Sequence, residues 1–585
     1  MQMEGSEVDE RFHRRKGSNN PSMFYIKIEY PSSQFKVSFT MFCRYFFRLS
    51  TRFYVTIYLT ELFENLKVGV FMSLKEYEAS FLTYVKKILN IQEAISVLYW
   101  DLRTGAPKNA VRQRSNVISQ LSSDVFKMST SKEMEHYLIT LEEAIQAGKC
   151  TLEVEKTVEF LRREFDHNTK IPVEEYEAYV KCQAEAESVW AEARTENNFS
   201  KFEPYLTKII EYKRKFVEYL RYGDSKYDTY LKQYEPGMTV AKLDEVFAVV
   251  REKLVPIVKA ISNSGKNFER EEMKANVSKH KQREICEDFL STLGYDFNSG
   301  RLDETSHPFA TNINLGDVRV TTTYHEDYFA KALFSTIHEC GHALYEQNIS
   351  KSLEGLPIAQ GASLGIHESQ SLLYEKMIGQ SFEFWKGNYA KLTKKLNGVL
   401  DDVSLEDFYK AINHSKPSYI RIEADELTYP LHIMLRYEIE KDLLDGLIQV
   451  KDLPAIWNKK MEEYLGVIPP TNREGVLQDV HWSMGLFGYF PTYALGAMYA
   501  AQIKATMEKD LTNVDELIES NDFHSILNWL KINIHQYGAT KTPQELLKDV
   551  TGEELNVQYY IKYLENKYAN LYELSFTEQK MGSEA

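Results

Sequence analysis

The chain has 585 residues, of which 43% are hydrophobic and 26% are charged, and its formal net charge is −15. This composition is typical of a soluble globular protein with enough chain to bury a large core, and the acidic balance argues against nucleic acid or an anionic membrane as the main partner. Five scattered cysteines without a CxxC pair exclude a disulfide framework and a thiolate zinc site, and they indicate a reducing, cytoplasmic location.

The first 71 residues differ from the rest of the chain. They carry ten basic and seven acidic residues, a net charge of +3, which leaves −18 for the remainder. The stretches "FYIKIEY" and "RFYVTIYL" predict strands, whereas helical spacing dominates after Met72. Met1 leads into polar residues, so the sequence predicts no signal peptide. We expect residues 1–71 to be an extension outside the fold, either a targeting or regulatory arm or a translated upstream sequence, and residues 72–585 to form the folded unit.

Two apolar stretches have the length of a membrane span. Phe35–Phe63 is interrupted by four basic residues, and Val480–Ile503 contains His481, Pro491, Gln502 and three glycines although it has no charged residue. We therefore interpret both as parts of a protein that does not cross a membrane, and the second as buried interior.

From Met72 onward the apolar residues recur at helical spacing and predict a mainly α-helical unit. Two capping boxes mark predicted helix starts, at Thr130/Glu133 and at Thr542/Glu545. The clearest strand candidate is "GDVRVTTTY" at Gly316–Tyr324, where apolar and polar residues alternate.

The stretch "HECGH" at 338–342 has the pattern of a zinc-binding helix. Residues four apart share one face of a helix, so His338 and His342 can present imidazoles to one ion. Catalytic zinc takes three protein ligands and lowers the pKa of water to about 7. Glu339 stands next to the first histidine, which is the position of the general base in metallopeptidases.

The third ligand must come from another part of the chain. The metzincin pattern is excluded, because Tyr345 and Asn348 stand where it requires a glycine and a histidine. "GIHESQSLLYEKMIG" supplies two glutamates on one helical face, Glu368 and Glu375, and the spacing leaves both open. His367 points about 100° away from Glu368 and is expected to be a supporting or core histidine.

Six ordered motifs between Met72 and about Leu574 resemble the carboxypeptidase Taq family of metallocarboxypeptidases. They are "HPF" at 307–309, "DVRVT" at 317–321, "HECGH" at 338–342, "HESQ" at 367–370, "IRIEAD" at 420–425 and "GVLQDVHW" at 475–482. The resemblance implies a zincin-type fold similar to the neurolysin and angiotensin-converting-enzyme peptidases, with a small β-sheet beside the active-site helix. It implies homodimers that release single C-terminal residues from peptides with a free C-terminus, with broad preference and proline disfavoured.

The resemblance also implies a set of site residues. The ligands of a zinc or cobalt ion would be His338, His342 and Glu368, and Glu339 would be the general base or acid. His307 is similar to a residue that contacts the substrate backbone.

A carboxypeptidase must bind a free α-carboxylate, for which a planar guanidinium is suited. Arg421 in "IRIEAD" is the candidate, and the alternative is a structural ion pair with Glu423 or Asp425. Arg319 is expected to form a structural ion pair or to bind substrate.

Hydrolysis also needs a donor that stabilises the negative charge growing on the scissile carbonyl oxygen. His481, Tyr489 and Tyr493 are the candidates, with Tyr493 first because of its distance from His481, and aromatic core packing is the alternative for either tyrosine. Asp425 and Asp479 are hypothesised to orient the ligand imidazoles. Two other functions are weighed against a carboxypeptidase: an HExxH oligopeptidase that cuts internal bonds, and an inactive helical binding protein.

Overall fold

The computed structural model describes residues 72–221 and 223–574. The chain divides into two compact units, Met1–Tyr77 and Glu78–Ala585, and the fold described below is that of the second. The strands predicted at "FYIKIEY" and "RFYVTIYL" and the apolar stretch at Phe35–Phe63 lie outside the described residues. Within the described ranges, no helix combines the length and the apolar character needed to cross a membrane.

Twenty α-helices and three strands are present in the described residues. The helices before the sheet are α1 (Leu74–Thr104), α2 (Val111–Ser129), α3 (Lys132–Gln146), α4 (Leu152–Lys170), α5 (Val173–Glu196), α6 (Phe199–Leu220), α7 (Asp228–Tyr234), α8 (Val240–Ser264) and α9 (Lys279–Leu293). The helices after it are α10 (Phe329–Gln347), α11 (Leu364–Leu372), α12 (Phe382–Leu396), α13 (Leu405–Ile412), α14 (Tyr429–Asp445), α15 (Leu453–Leu465), α16 (Phe490–Asp510), α17 (Val514–Glu519), α18 (Phe523–Asn533), α19 (Pro543–Thr551) and α20 (Gln558–Tyr572). The prediction of a mainly α-helical unit is confirmed.

The strands are β1 (Leu302–Glu304), β2 (Ala310–Asn314) and β3 (Asp317–Thr322), which form one sheet in the order β1-β3-β2. The predicted strand at Gly316–Tyr324 is thus confirmed as the central strand. It pairs parallel with β1 (Leu302 opposite Val320) and antiparallel with β2 (Ala310 opposite Val320). Val318 and Val320 are fully buried, because this face of the sheet packs against α10.

Helix α10 is buried along most of its length and packs against the sheet, α9 and α11. Gly341 allows α11 to come close, since a Cβ at this position would lie 2.5 Å from the carbonyl oxygen of Gln370. On its other side α11 packs against α16 at Gly496, where a Cβ would lie 2.6 Å from the Cβ and Cγ of Glu368. Two glycines thus let three helices converge on one point.

The segment after α11 is a π-helix, Leu373–Ile378, which continues the helix with wider turns. The uncharged stretch Val480–Ile503 forms a turn region and the buried helix α16, which confirms its interpretation as protein interior. Among the predicted caps, the box at Thr542/Glu545 is confirmed. The prediction of a box at Thr130/Glu133 is wrong by one residue. The N-cap of α3 is Ser131, whose side chain accepts a hydrogen bond from the backbone N–H of Met134.

Candidate metal centre and active site

Three potential metal ligands meet where α10 and α11 face each other. One ligand atom each of His338, His342 and Glu368 lies within 4.8 Å of the other two. Glu368 Oε2 is 3.3 Å from His342 Nε2 and 3.7 Å from His338 Nε2. Two imidazole nitrogens and one carboxylate oxygen are a donor set that divalent zinc accepts, so these side chains fit the ion.

A second glutamate orients the first imidazole. Glu375, on the π-helix, lies 2.8 Å from Nδ1 of His338, on the ring edge opposite Glu368. Burial raises the pKa of Glu375, but Lys376 and His338 outweigh burial and hold this pKa at about 2. The ionised carboxylate therefore accepts the Nδ1 proton of His338 and leaves Nε2 free to bind a metal.

The second imidazole is oriented through a histidine. Nδ1 of His342 lies 2.6 Å from Nδ1 of His367, and Nε2 of His367 lies 2.8 Å from Oε1 of Glu346. Glu346 is nearly buried and also accepts hydrogen bonds from Asn312 and from the backbone N–H of Gly361. A proton on Nδ1 of His342 and one on Nε2 of His367 satisfy this chain, which fixes the tautomer of His342.

The hypothesis that Asp425 and Asp479 orient the ligand imidazoles is wrong. Asp425 accepts hydrogen bonds from Ser415 and Thr428, and Asp479 pairs with two arginines. The carboxylates that take this part are Glu375 and Glu346. A sequence signal was available for Glu346, because it stands four residues after His342 and thus on the same helical face.

Glu339 lies beside the candidate metal ligands, and its side chain is almost fully enclosed, since the residue is 7% exposed. Burial raises the pKa of Glu339 to about 7, Glu368 and Glu375 act in the same direction, and His338 and the Ala310 N–H oppose them. A carboxyl group with a pKa near neutrality can both accept and return a proton. A bound cation would favour its ionised form.

His481, Tyr489 and Tyr493 form an aromatic group near Glu368. The ring centroids of Tyr489 and Tyr493 are 5.4 Å apart, and that of His481 is 5.6 Å from Tyr489 and 6.5 Å from Tyr493. Burial raises the pKa of both tyrosines, and the charge of Glu368 adds to this effect. Burial lowers the pKa of His481 to about 4, and its Nδ1 has no hydrogen-bond partner among the described residues. The two phenols are therefore protonated and the imidazole is neutral at pH 7.

Arg421 lies next to this aromatic group and is 6% exposed. Its Nε and Nη2 donate to Oδ1 of Asp479 at 3.0 and 2.9 Å, and its Nη1 donates to the hydroxyl of Tyr429 at 2.9 Å. The ion pair is thus made with Asp479 and not with Glu423 or Asp425 as the alternative assumed. These contacts leave one N–H on each terminal nitrogen without a partner among the described residues.

Tyr429 was not singled out from the sequence, although it follows Arg421 by eight residues. Its ring centroid lies 6.1 Å from that of Tyr493, so it links the guanidinium to the aromatic group. Arg436 is fully buried and binds the other oxygen of Asp479, with Nε 2.7 Å from Oδ2. Asp479 therefore holds both arginines.

The two remaining candidates lie near the sheet. Arg319 forms a bidentate ion pair with Asp317, at 2.7 and 2.6 Å, and its guanidinium stacks on Trp100. Of the two roles considered for Arg319, the structure thus shows the structural ion pair. His307 is exposed on the connection between β1 and β2, three residues before Ala310.

A cavity of about 1610 Å³ reaches the site. Its lining includes Tyr234, Glu346 and His367, and the ring of Tyr234 packs 5.1 Å from that of Tyr489. This volume is larger than the roughly 300–1,000 Å³ that is typical of small-molecule clefts. A peptide therefore has room beside His367 and Glu346, the residues that support His342.

We expect Gly496→Ala to weaken metal binding although Gly496 is not a ligand. The added methyl group would lie 2.6 Å from Glu368 Cβ, so either the carboxylate or α16 must move. A change in the support of a ligand lowers metal affinity by about 10- to 100-fold. Titration against a competing chelator measures this loss. Gly105→Ala is the control, because its methyl group would approach nothing closer than Asp101 Oδ1 at 3.7 Å, and equal affinities of the two variants would contradict the expectation.

Comparison with known proteins agrees with the geometry. A family model described as carboxypeptidase Taq (M32) metallopeptidase matches residues 80–568. The chain is 49% identical to carboxypeptidase 1 of Bacillus subtilis over 501 residues, which are 86% of this chain and 100% of that protein. It is 38% identical to thermostable carboxypeptidase 1 of Thermus thermophilus over 483 residues, 81% of this chain and 94% of that protein.

Solved structures of this family have the same fold. The crystal structure of an M32 carboxypeptidase from Deinococcus radiodurans R1 matches with a TM-score of 0.82 at 33% identity, and the match covers 85% of this chain and 100% of that one. The family acts on peptides and implies a divalent metal ion, and His338, His342 and Glu368 form a cluster that could hold one. The chain therefore belongs to the carboxypeptidase Taq (M32) family of metallopeptidases and is a metallocarboxypeptidase.

Proposed function

We propose that this metallocarboxypeptidase releases single C-terminal residues from peptides, with broad preference and with proline disfavoured. The observation that carries the proposal is the position of Arg421, a nearly buried guanidinium beside Tyr493 with an N–H available on each terminal nitrogen. Such a fork pairs with two carboxylate oxygens at once. An endopeptidase has no need of it.

We propose zinc as the ion, with cobalt as an alternative, held by His338, His342 and Glu368. When bound, such an ion would act as a Lewis acid and would lower the pKa of a water molecule bound to it to about 7. The two supporting carboxylates favour this assignment. Glu375 orients His338 directly, and Glu346 orients His342 through His367, so that each candidate ligand keeps its Nε2 toward the cluster. The family resemblance further implies a homodimer, a cytoplasmic location and a likeness to the neurolysin and angiotensin-converting-enzyme fold, which remain predictions.

The carboxylate of Glu339 acts as general base and then as general acid. It takes a proton from the attacking water and returns it to the nitrogen of the leaving amino acid. Burial favours the protonated form of Glu339 and a bound cation favours its ionised form, so the carboxyl group can make both transfers at neutral pH.

Tyr493 donates its hydroxyl proton in a hydrogen bond to the scissile carbonyl oxygen as negative charge develops there. Tyr489 and the neutral imidazole of His481 lie close enough to share this role. Burial raises the pKa of both phenols and thereby keeps the donor protons in place. Donors fixed in advance at a developing oxyanion are worth about 10²- to 10³-fold in rate.

Arg421 binds the terminal carboxylate of the substrate, and Tyr429 and Asp479 hold its guanidinium in orientation. His307 is proposed to contact the substrate backbone. Its support is its place on the connection that leads into β2, whose first residue, Ala310, donates toward Glu339.

The test is hydrolysis of N-blocked dipeptides that differ in their last residue, each as free acid and as C-terminal amide, with and without chelator. We expect cleavage of many free acids, little cleavage of terminal proline and of amides, and loss of activity with chelator. Equal cleavage of acids and amides, or cuts at internal bonds of longer peptides, would support the oligopeptidase alternative. Absence of turnover in metal-loaded protein would support the binding protein.

We propose that residues 72–585 contain the whole catalytic unit. The family match begins at residue 80, and the start of α1 is capped within its own sequence by Ser73 and Glu76. A chain that begins at Met72 is therefore expected to have the thermal midpoint and kcat/KM of the full chain, measured side by side. A large drop in either quantity would show that residues 1–71 are part of the functional protein.

A further inference from the structure

Glu440 is a buried carboxylate that none of the steps above uses. It lies on α14 and is 0% exposed. Its Oε1 accepts from Nε1 of Trp482 at 2.9 Å, and its Oε2 accepts from the hydroxyl of Tyr227 at 2.7 Å and from the backbone N–H of Gly488 at 3.1 Å. Burial raises the pKa of Glu440 to about 7, and the three hydrogen bonds oppose burial. A buried acid is costly unless its partners match it, and here all three partners donate.

Two of these partners are the ends of one short segment. Residues 482–488, which we call the donor segment, consist mainly of turns and connect His481 to Tyr489. Gly488 has a φ of +84°, and a Cβ on it would lie 2.7 Å from the backbone carbonyl carbon of Tyr230. The segment thus has no space to move toward α7, and hydrogen bonds to Glu440 hold its first and last residues.

A neighbouring residue of the same helix holds the preceding part of the chain separately. Arg436, one turn before Glu440, donates to Oδ2 of Asp479 and to Oε1 of Gln478. Asp479 in turn holds Arg421. Helix α14 therefore supports carboxylate binding through Arg436, while the hydrogen bonds of Glu440 to described residues go to the donor segment and to Tyr227.

We propose that Glu440 is a positioning residue for turnover, whose carboxylate fixes the donor segment and so aims Tyr489 and His481 at the scissile carbonyl. The inference rests on the oxyanion role proposed above for these side chains. Because Glu440 is fully enclosed, it acts through the segment and does not touch the substrate. Its loss should therefore lower kcat and leave KM for a free-acid peptide unchanged.

The first test compares Glu440→Gln with Glu438→Gln. The side-chain amide of Glu440→Gln can take two orientations. In one its NH₂ faces the indole N–H of Trp482, and in the other it faces the backbone N–H of Gly488. Two donors then face each other, so one hydrogen bond is lost in either case. We expect kcat to fall about ten-fold or more, with KM and metal content unchanged. Glu438 is on the same helix and binds Arg251, Lys460 and Tyr464, so Glu438→Gln should keep the wild-type kcat.

Trp482→Phe gives a second measurement, which also serves if Glu440→Gln fails to fold. It removes the indole N–H and keeps an aromatic ring against Trp457, whose ring centroid is 5.9 Å away. We expect a smaller loss of kcat. In the double variant with Glu440→Gln the combined loss should be smaller than the sum of the two single losses, because Trp482 and Glu440 are hydrogen-bonded to each other and both changes weaken the same attachment of the donor segment. Fully additive losses would overturn the inference.

Tyr489→Phe and Tyr493→Phe separate this inference from the proposed function. If these variants lose turnover while Glu440→Gln keeps the kcat of Glu438→Gln, the inference is wrong and the proposed function stands. If both tyrosine variants keep wild-type turnover, the oxyanion role fails and the inference fails with it. A loss in Glu440→Gln that is accompanied by lost metal or a raised KM would show a general structural role and overturn the inference as well.

Discussion

Glu339→Gln is expected to retain the metal ion and to lose most of its turnover. The amide keeps the size of the side chain and cannot take a proton from water, whereas His338, His342 and Glu368 are unchanged. General acid–base catalysis contributes about 10²- to 10⁴-fold, and kcat should fall by an amount in this range. Steady-state kinetics together with metal analysis of the same preparation measure both quantities.

His342→Ala is the contrasting variant, since it should lose the ion itself. Its removal also leaves His367 and Glu346 without the imidazole that they orient. The two variants thus distinguish loss of the base from loss of the metal. Near-normal kcat in Glu339→Gln would contradict the mechanism, even if His342→Ala is inactive.

Arg421→Ala is expected to reduce the preference for a free-acid peptide over its C-terminal amide. Charge-assisted hydrogen bonds contribute about 1.5–3 kcal/mol, so kcat/KM for the acid should fall about ten- to a hundred-fold or more. The amide should be affected much less. Asp479 keeps its pair with Arg436 in this variant, so no unpaired charge is buried. Metal content should not change.

Two further arginine variants complete this experiment. Arg421→Lys should restore only part of the activity, because an ammonium group keeps the charge and loses the planar fork. Arg319→Ala is the matched control, since Arg319 pairs with Asp317 of the same strand, β3, and should not affect the ratio of acid to amide cleavage. If Arg421→Ala discriminates acid from amide as sharply as wild type, the terminal carboxylate is bound by another group.

The short-range features of the site could be predicted from sequence. The i,i+4 spacing alone places His338 and His342 on one face of α10, and strict alternation identified β3. The choice between Glu368 and Glu375 could not be made from spacing, and the structure shows why. Both carboxylates face His338, one at each ring nitrogen.

Contacts between distant parts of the chain were harder to predict. Asp479 was expected beside a ligand imidazole, and Arg421 was given Glu423 or Asp425 as alternative partners. Which acid meets which arginine depends on how "GVLQDVHW" packs against α14, and local spacing carries no information on that. The cap at Ser131 shows a smaller failure, because two adjacent residues of the "STS" stretch can both cap a helix and the backbone geometry decides between them.

The π-helix at Leu373–Ile378 makes this part of the chain sensitive to length more than to composition. Its wider turns allow Glu375, which lies beyond α11, to reach Nδ1 of His338. Glu368 faces Nε2 on the other edge of the same ring. Many side chains can occupy such a backbone, but deletion of one residue ahead of Glu375 would rotate its carboxylate by roughly a quarter turn away from Nδ1 of His338. Insertions and deletions between Leu372 and Glu375 should thus be far less tolerated than substitutions. A redesign of this scaffold should therefore keep the number of residues in this segment constant.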